Sequence, residues 1–266
     1  MKKYKIRYFC CTHTGKCRSL NQDNFICNGI CRNAVNDTLK YPISGIVSAS
    51  ETPLFGVFDG MGGEMCGEMA AYIAAESASH LRCKNNLVGT MLTFCKEANE
   101  KICQYAEYND IIRMGTTAAM LLFDKEEVVL CNIGDSKIFQ YSKGCLRQIS
   151  EDHVVFEIPG KKSPLSQNLG IPEEEMKIDP YTVSGSMKDG DVFLISSDGL
   201  TDLVTEKRIK DILENAPYEQ IAERLILDAL DNGGRDNITV IVCRVEKEIN
   251  YLEKVFRKRA FKQGEK

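Results

Sequence analysis

Short runs of apolar residues, each bounded by polar or turn-forming residues, mark the first sixty positions of the chain. The runs YKIRYFC, DNFICNG and PLFGVFD have the length and the β-branched and aromatic content of strands. Between residues 64 and 108 the spacing changes to that of Ala-rich amphipathic helices, with a break predicted near Asn85 and Asn86. The first part of the chain therefore predicts strands followed by two helices.

Strand-like runs return after residue 115. They read TTAAMLLFD, VVLCNIGD, KIFQYSKG and LRQISED, and turn-forming residues separate them. This pattern predicts a β-meander whose hairpin tips lie at Asp124–Lys125 and Lys143–Gly144.

The second half of the chain mixes irregular, strand-like and helical segments. Residues 154–175 contain three prolines and two glycines and are predicted to be irregular. The runs DVFLISSDG and NITVIVCRVE predict two further buried strands, and residues 205–231 predict two helices broken near Pro217. Strands, helices, a meander, helices and a strand indicate an α+β layered domain rather than alternating parallel βαβ units.

The chain shows no linker and no internal repeat, so residues 1–246 are predicted to form one domain. Residues 247–266 carry seven basic and three acidic side chains and predict a basic C-terminal helix or tail. We interpret it as a helix docked by its apolar side, and contact with a membrane surface or a nucleic acid is the alternative.

Composition narrows the class of protein. The formal net charge of −4 over 266 residues gives no reason to expect a nucleic-acid partner. No apolar run approaches the roughly 20 residues of a membrane span, and the N-terminus lacks the apolar region of a signal peptide, so we expect a cytoplasmic protein. The twelve cysteines form no C-x-x-C pair and no cluster with His, which favours small buried side chains in a reducing compartment.

Aspartates occupy the ends of strand-like runs, beside glycines or other small residues. They are Asp23, Asp59, Asp135, Asp198 and Asp236. Each one alone fits an ordinary turn or cap. If the strand ends converge, each close pair of carboxylates repels by about 4 kcal/mol at an effective dielectric of 20, so a cation must compensate. Oxygen ligands without His or Cys suit Mg²⁺ or Mn²⁺, and such carboxylate-rich sites, sometimes with two metals, usually hydrolyse or transfer phosphate esters.

Six segments in order give the chain a family resemblance. It resembles the metal-dependent serine/threonine protein phosphatases of type 2C, and DGMGG is similar to the form found in their bacterial branch. The segments are GKCRSLNQDNF (15–25), FGVFDGMGG (55–63), GTTAAMLLF (115–123), NIGDSKIF (132–139), LISSDGLTD (194–202) and GGRDNITVIV (233–242).

The resemblance implies a four-layer α-β-β-α sandwich, in which two antiparallel sheets are flanked by helices and the metals lie in a cleft at one end. Two Mn²⁺ or Mg²⁺ ions, with a weaker third ion as a further candidate, are the implied cofactors. The implied ligands of the first two ions are Asp23, Asp59, Gly60, Asp198 and Asp236.

Further roles follow from the same resemblance. Asp59 would bridge the two metals, and Asp59, Asp198 and Asp236 would form the catalytic set. Asp135 and Asp202 would serve a weaker third metal. Arg18 would bind the substrate phosphate, for which a planar guanidinium is well suited. Asn237 would be a near neighbour of the site.

The implied reaction is the hydrolysis of phosphoserine and phosphothreonine esters by water that the two-metal centre activates. The implied partners are phosphorylated proteins and a cognate serine/threonine kinase, with no nucleic acid, and we expect a monomer. Gln22 stands where the family has Glu, and the segment between His153 and Leu169 is shorter than the family's usual loop. Lys161 and Lys162 in this segment could contact an acidic substrate or could simply be solvated.

Gln22 also favours an alternative, a catalytically weak or inactive phosphatase-fold module that binds phosphoproteins.

A cysteine phosphatase is disfavoured, because six residues rather than five separate Cys11 from Arg18 in CCTHTGKCRS. The segment GMGGEM lacks the Lys-Ser/Thr of a nucleotide-binding loop, and the acidic spacing of a calcium loop is missing.

Overall fold

The computed structural model describes residues 3–61, 66–83, 86–156 and 163–248. Eleven strands lie within these ranges and form two antiparallel sheets. They are β1 (Tyr4–His13), β2 (Asp23–Cys27), β3 (Ile43–Ser48), β4 (Leu54–Asp59), β5 (Ala118–Asp124), β6 (Glu127–Ile133), β7 (Lys137–Ser142), β8 (Cys145–Gln148), β9 (Tyr181–Ser186), β10 (Val192–Ser196) and β11 (Ile238–Lys247).

One sheet has six strands in the order β3-β1-β11-β10-β7-β8, and the other has five in the order β2-β4-β5-β6-β9. The described helices are α1 (Gly67–Ser79), α2 (Leu87–Tyr108), α3 (Asp198–Thr201), α4 (Glu206–Asn215) and α5 (Ile221–Asp231), with short 3₁₀ turns at Ala49–Glu51 and Tyr218–Gln220. No helix in the described ranges has the length and apolar character that crossing a bilayer requires.

Three apolar layers hold the elements together. Phe25, Phe55 and Phe193 belong to the core between the two sheets. A second core packs α1 and α2 on the outer face of the five-stranded sheet, and a third packs α4 and α5 on the six-stranded sheet. Burial on both faces explains why the apolar residues of β5 and β10 form continuous runs rather than alternating with polar ones. The predicted four-layer α-β-β-α sandwich is confirmed.

The helix boundaries follow local sequence signals. The side chain of Asn86 accepts a 2.9 Å hydrogen bond from Gly89 N and caps the start of α2, at the predicted break. The side chain of Thr205 caps α4 in the same way. Pro217 follows the end of α4, so α4 and α5 are separated where the sequence predicted.

The predicted meander is wrong at one point. β5 and β6 pair in the five-stranded sheet, whereas β7 and β8 pair in the other, so the chain changes sheets at residues 134–136. Both predicted hairpin tips are present, with Lys125 and Lys143 in the left-handed region at φ 52° and 51°.

Two strands were not predicted, and both are edge strands. β3 (ISGIVS) and β9 (YTVSGS) bury few of their side chains, so Ser and Gly interrupt their apolar pattern. β11 ends at Lys247, the first residue of the predicted tail, and the division between domain and tail stays a prediction. The remainder of the tail, residues 249–266, lies outside the described residues, as do Lys161 and Lys162.

Candidate active site

Two of the predicted acids face each other across neighbouring strands. In the antiparallel pair β2 and β4, Asp23 is the direct partner of Asp59. Asp23 is buried at 1% exposure. The backbone of Asp59 is held by Thr117, the residue before β5, because its N–H donates to Thr117 Oγ1 at 3.0 Å and its carbonyl accepts from Thr117 N at 2.9 Å. The sheet therefore presents two carboxylates at one edge.

Buried hydroxyls fix the orientation of the Asp23 carboxylate. Its Oδ2 accepts from Ser197 Oγ at 2.8 Å and from Thr239 Oγ1 at 2.7 Å. Thr239 Oγ1 also lies 2.7 Å from Thr12 Oγ1, which accepts from Asn21 Nδ2 at 2.9 Å. This network joins β2 of one sheet to β1 and β11 of the other. Asp23 Oδ1 has no hydrogen-bond partner among the described residues.

Burial raises the pKa of Asp23 to about 7. The nearby charges of Asp198 and Asp236 contribute to this raised pKa, while the hydrogen bonds from Thr239 and Ser197 oppose it. Asp198 and Asp236, which come from other parts of the chain, are thus close enough to act electrostatically on Asp23. Two of the predicted strand-end acids therefore lie near Asp23, and the role of the whole set as metal ligands stays a prediction.

Asp198 and Asp236 reach the site from the ends of adjacent strands. Asp198 is buried and begins α3, two residues after the end of β10, and Asp236 lies two residues before the start of β11. β10 and β11 are antiparallel neighbours, so the end of one meets the start of the other. Asn237 is buried and holds the facing loop, because its Oδ1 accepts from Gln22 N at 2.8 Å and its Nδ2 donates to the carbonyls of Thr14 and Leu20. Asn237 lies beside the site, as predicted.

Arg18 lies among these carboxylates. One of its terminal nitrogens donates to Asp236 Oδ2 at 2.9 Å. That hydrogen bond raises the pKa of Arg18, and the charges of Asp59 and Asp198 act in the same direction. Gly15 makes the approach of this loop possible, since its φ is +86° and a Cβ there would lie 2.2 Å from the Asp236 carbonyl oxygen.

Gly60 brings the backbone of three segments together. Its N–H donates to the carbonyl of Gln22 at 3.2 Å. A Cβ at this position would lie 2.3 Å from the carbonyl oxygen of Gly67 and 2.6 Å from that of Gln22. Only glycine allows the start of α1 to pack on the end of β4 in this way. The role of the Gly60 carbonyl as a metal ligand remains a prediction.

The side chain of Gln22 is held by Glu68. Gln22 Nε2 donates to Glu68 Oε2 at 2.9 Å, and Glu68 lies in the first turn of α1. The amide therefore pairs with a carboxylate that would repel the family's Glu at position 22. The residue at which the chain departs from the family sequence is thus hydrogen-bonded to α1.

The two acids predicted for a third metal differ in position. Asp135 is half-buried and lines the same cavity as Arg18 and Asp59. Asp202 is exposed at the end of α3, where its N–H donates to the Asp198 carbonyl at 2.8 Å. It is not among the described residues that line this cavity. A joint metal site for this pair stays a prediction.

The donor set fits a hard divalent cation. It consists of carboxylate oxygens, one of which, Asp23 Oδ1, is buried with no hydrogen-bond partner in the described ranges. In those ranges, no three His, Cys, Asp or Glu side chains stand together in ready coordination geometry.

The cysteine-based alternative is contradicted by the structure. Cys10 and Cys11 lie in β1 and are buried. Burial raises the pKa of the Cys11 thiol to about 12, and it raises the pKa of Cys10 as well. A thiol that stays protonated is a poor nucleophile, so neither residue can serve as a phosphate-attacking thiolate at neutral pH.

Sequence reasoning missed the residues that position the acids. Ser197, Thr239 and Glu68 contact Asp23 or Gln22 through side chains. Ser197 directly precedes Asp198, and this adjacency was the only available signal. Thr239 lies inside an apolar strand and Glu68 in a helix, so their contacts depend on how the two sheets and α1 pack.

Comparisons with known proteins agree with this geometry. The family model described as protein phosphatase 2C matches residues 38–231. The serine/threonine phosphatase stp of Listeria welshimeri is 30% identical, with 91% of this chain and 96% of that protein covered. The serine/threonine protein phosphatase PstP of Mycobacterium tuberculosis is also 30% identical, with 72% of this chain and 40% of that protein covered.

Solved structures show the same architecture. The catalytic domain of PstP in complex with two manganese ions superimposes with a TM-score of 0.74 at 26% identity, covering 91% of this chain and 99% of that domain. In this chain Asp23 and Asp59 face each other, Asp198 and Asp236 lie nearby, and Arg18 lies among them. The chain belongs to the protein phosphatase 2C family and is a metal-dependent phosphoprotein phosphatase.

Proposed function

We propose that this chain hydrolyses phosphoserine and phosphothreonine in proteins, with two Mn²⁺ or Mg²⁺ ions as cofactors. The observation that carries the proposal is the set of four aspartates from two sheets, with Arg18 placed among them. The relatives named as serine/threonine phosphatases and the manganese-bound PstP domain support the same substrate class and cofactor.

In this proposal Asp23, Asp59, Gly60, Asp198 and Asp236 hold the ions, which supply Lewis acidity and activate water when bound. The Ser197 and Thr239 hydroxyls keep Asp23 Oδ2 occupied, so that Oδ1 is the oxygen left for a cation. Arg18 offers planar N–H donors to the phosphoryl oxygens of the substrate. Asp135 and Asp202 remain candidates for a third ion.

The proposal extends to the biological setting. Hydrolysis of phosphoserine and phosphothreonine implies a serine/threonine kinase that this enzyme opposes. All twelve cysteines are free, which suits the reducing conditions of a cytoplasm. We propose a monomer, because the site is built from one chain.

The test is hydrolysis of a phosphothreonine peptide with Mn²⁺, with a chelator and after thiol alkylation, for the parent chain and for Asp198→Asn. We expect turnover that requires the metal and Asp198 and that survives alkylation. Asp211→Asn, which changes an exposed acid of α4 outside the site, is the matched control and should retain most of the activity.

Two results would contradict the proposal. Bound Mn²⁺ and bound phosphopeptide without turnover would identify the binding module that Gln22 favours. Turnover that is indifferent to the chelator but lost on alkylation would require a different chemistry altogether.

A further inference from the structure

A groove continues from the active site along α2. The cavity that Arg18 and Asp59 line at one end has a volume of about 1870 Å³. It extends between α2 and residues 163–180, and its contacts on α2 run from Leu92 to Glu107. At 1.5 Å per residue these positions span about 22 Å of helix, which is the length of about seven extended residues.

Hydrogen bonds connect the walls of this groove to the acids of the site. Thr116 Oγ1 donates to the carbonyl of Asp59 at 2.9 Å, and the backbone of Thr116 pairs with Leu169 in both directions. Asn99 of α2 accepts from the N–H groups of Gly170 and Ile171 and donates to the Ile171 carbonyl. The groove is therefore a fixed extension of the catalytic cleft and not a separate surface feature.

The charges along the groove are predominantly acidic. Among the described lining residues that lie away from the catalytic acids, the acidic side chains are Glu100, Glu107, Glu173, Glu174, Glu175 and Asp179. The basic ones are Lys96, Arg113 and Lys177, and Lys96 already pairs with Glu100 at 3.8 Å. Burial is the main cause that raises the pKa of Cys103 on α2, and the charges of Glu174 and Glu175 raise it further. These two carboxylates therefore lie close to α2.

The groove also offers an apolar contact. Ile112 lines it and is 93% exposed, directly beside Ile111, which packs on the core of α1 and α2. An exposed aliphatic side chain among carboxylates suits a polypeptide that carries both apolar and basic side chains.

We infer that this groove binds the polypeptide on one side of the phosphorylated residue of a substrate and favours basic side chains there. The inference rests on the proposed function, and it concerns which phosphoproteins are used rather than how the ester is cleaved. Because the groove is continuous with Arg18, a peptide whose phosphate contacts Arg18 would extend into the groove. The excess of carboxylates along the groove would favour basic side chains in that peptide.

The test compares phosphothreonine peptides that have three lysines, three serines or three glutamates on the N-terminal or on the C-terminal side. Each kcat/KM is divided by that for p-nitrophenyl phosphate, which is too small to reach along the groove, so a general loss of activity cancels. We expect one lysine peptide to exceed its serine counterpart by about five- to tenfold at low salt, as three exposed charge pairs allow.

The decisive variant is the triple change Glu173→Gln, Glu174→Gln and Glu175→Gln. It should remove most of the lysine preference. The control is a second triple variant, which makes an equal change of charge at exposed sites outside the groove: Glu51→Gln, Glu206→Gln and Glu219→Gln. This control variant should keep the lysine preference. Ile112→Ser should lower the normalised rate on peptides several-fold without changing the charge preference.

Several outcomes would overturn the inference. They are equal rates on all peptides, a lysine preference that persists in the groove variant, or a dimer that Ile112→Ser dissociates, which would mean that a second copy covers the groove. In each of these cases hydrolysis of phosphothreonine peptides would continue, so the proposed function would stand. Failure to hydrolyse any substrate with Mn²⁺ would instead contradict the proposed function itself.

Discussion

Gln22 and Glu68, 46 positions apart, are joined by a 2.9 Å hydrogen bond from the amide of one to the carboxylate of the other. The bond ties the loop before β2 to the first turn of α1, at the edge of the acidic site. It also replaces a repulsion between two carboxylates with an attraction. The charge at position 22 is therefore coupled to Glu68.

Gln22→Glu should destabilise the protein without metal, because it places a second carboxylate against Glu68. We expect the free energy of unfolding in a chelator to fall by about 1–3 kcal/mol, measured by urea denaturation. Mn²⁺ affinity, measured by calorimetry, should rise because the site gains a negative charge. The exchange Gln22→Glu with Glu68→Gln restores a hydrogen-bonded pair and should recover the lost stability. An unchanged stability of the single variant in chelator would show that the hydrogen bond contributes nothing.

Gly60→Ala should be strongly destabilising. The added Cβ would lie 2.3 Å from the Gly67 carbonyl oxygen, and backbone on both sides cannot move aside. We expect a loss of about 3 kcal/mol, seen as a lower Tm. Gly185→Ala is the matched control, because nothing lies within 4 Å of a Cβ there, and its effect should stay within about 0.5 kcal/mol. Equal Tm values for the two variants would contradict the close packing at Gly60.

Ser197→Ala and Thr239→Val should each weaken Mn²⁺ binding. Both hydroxyls donate to Asp23 Oδ2, and loss of a group that orients a metal ligand typically costs about 10–100-fold in affinity. Calorimetry measures the affinity directly, independently of turnover. Ser150→Ala removes another buried hydroxyl, one that accepts from Ile138 N, and should leave the affinity unchanged. Parent-like affinity in both site variants would remove Asp23 from the ligand set.

Thiol labelling should divide the cysteines by burial. Cys17 and Cys145 are exposed and should react quickly with iodoacetamide in the folded protein. Cys11 should remain unlabelled at pH 8 and also at pH 10, because burial raises its pKa to about 12 and the thiolate is the reactive form. Mass spectrometry of peptides from the folded protein and from protein in denaturant gives the comparison. Rapid labelling of Cys11 in the folded chain would mean that β1 is not packed as described.

Much of the site was predictable because its residues stand where strands end. A hydrophobic run that stops at a carboxylate is visible in the sequence, and five such corners indicated a cation. Asp23 and Asp59 then prove to be direct partners across β2 and β4. The hydroxyls of Ser197 and Thr239 were not predictable, since nothing local marks a buried polar side chain as the partner of a distant one.

The strands and helices were likewise predictable where the sequence carries a local signal and unpredictable where it does not. Strands buried on both faces, such as β5 and β10, and helices with clear caps, such as α2 and α4, were predicted because burial and capping leave local signals. The edge strands β3 and β9 were missed, since an edge buries little and needs few apolar residues. The change of sheet between β6 and β7 was missed as well, because a turn and a crossover can use the same small residues.

The sequence by itself determined the class of the fold, the acids and the chemistry that hard oxygen ligands permit, since these depend on residue type and on periodicity along the chain. Only the tertiary structure decided which acids meet, that Gln22 is paired with Glu68, and that a groove lined by carboxylates leads away from Arg18. These features arise from contacts between segments far apart in the chain, and such contacts produce no periodic pattern in the sequence of either segment.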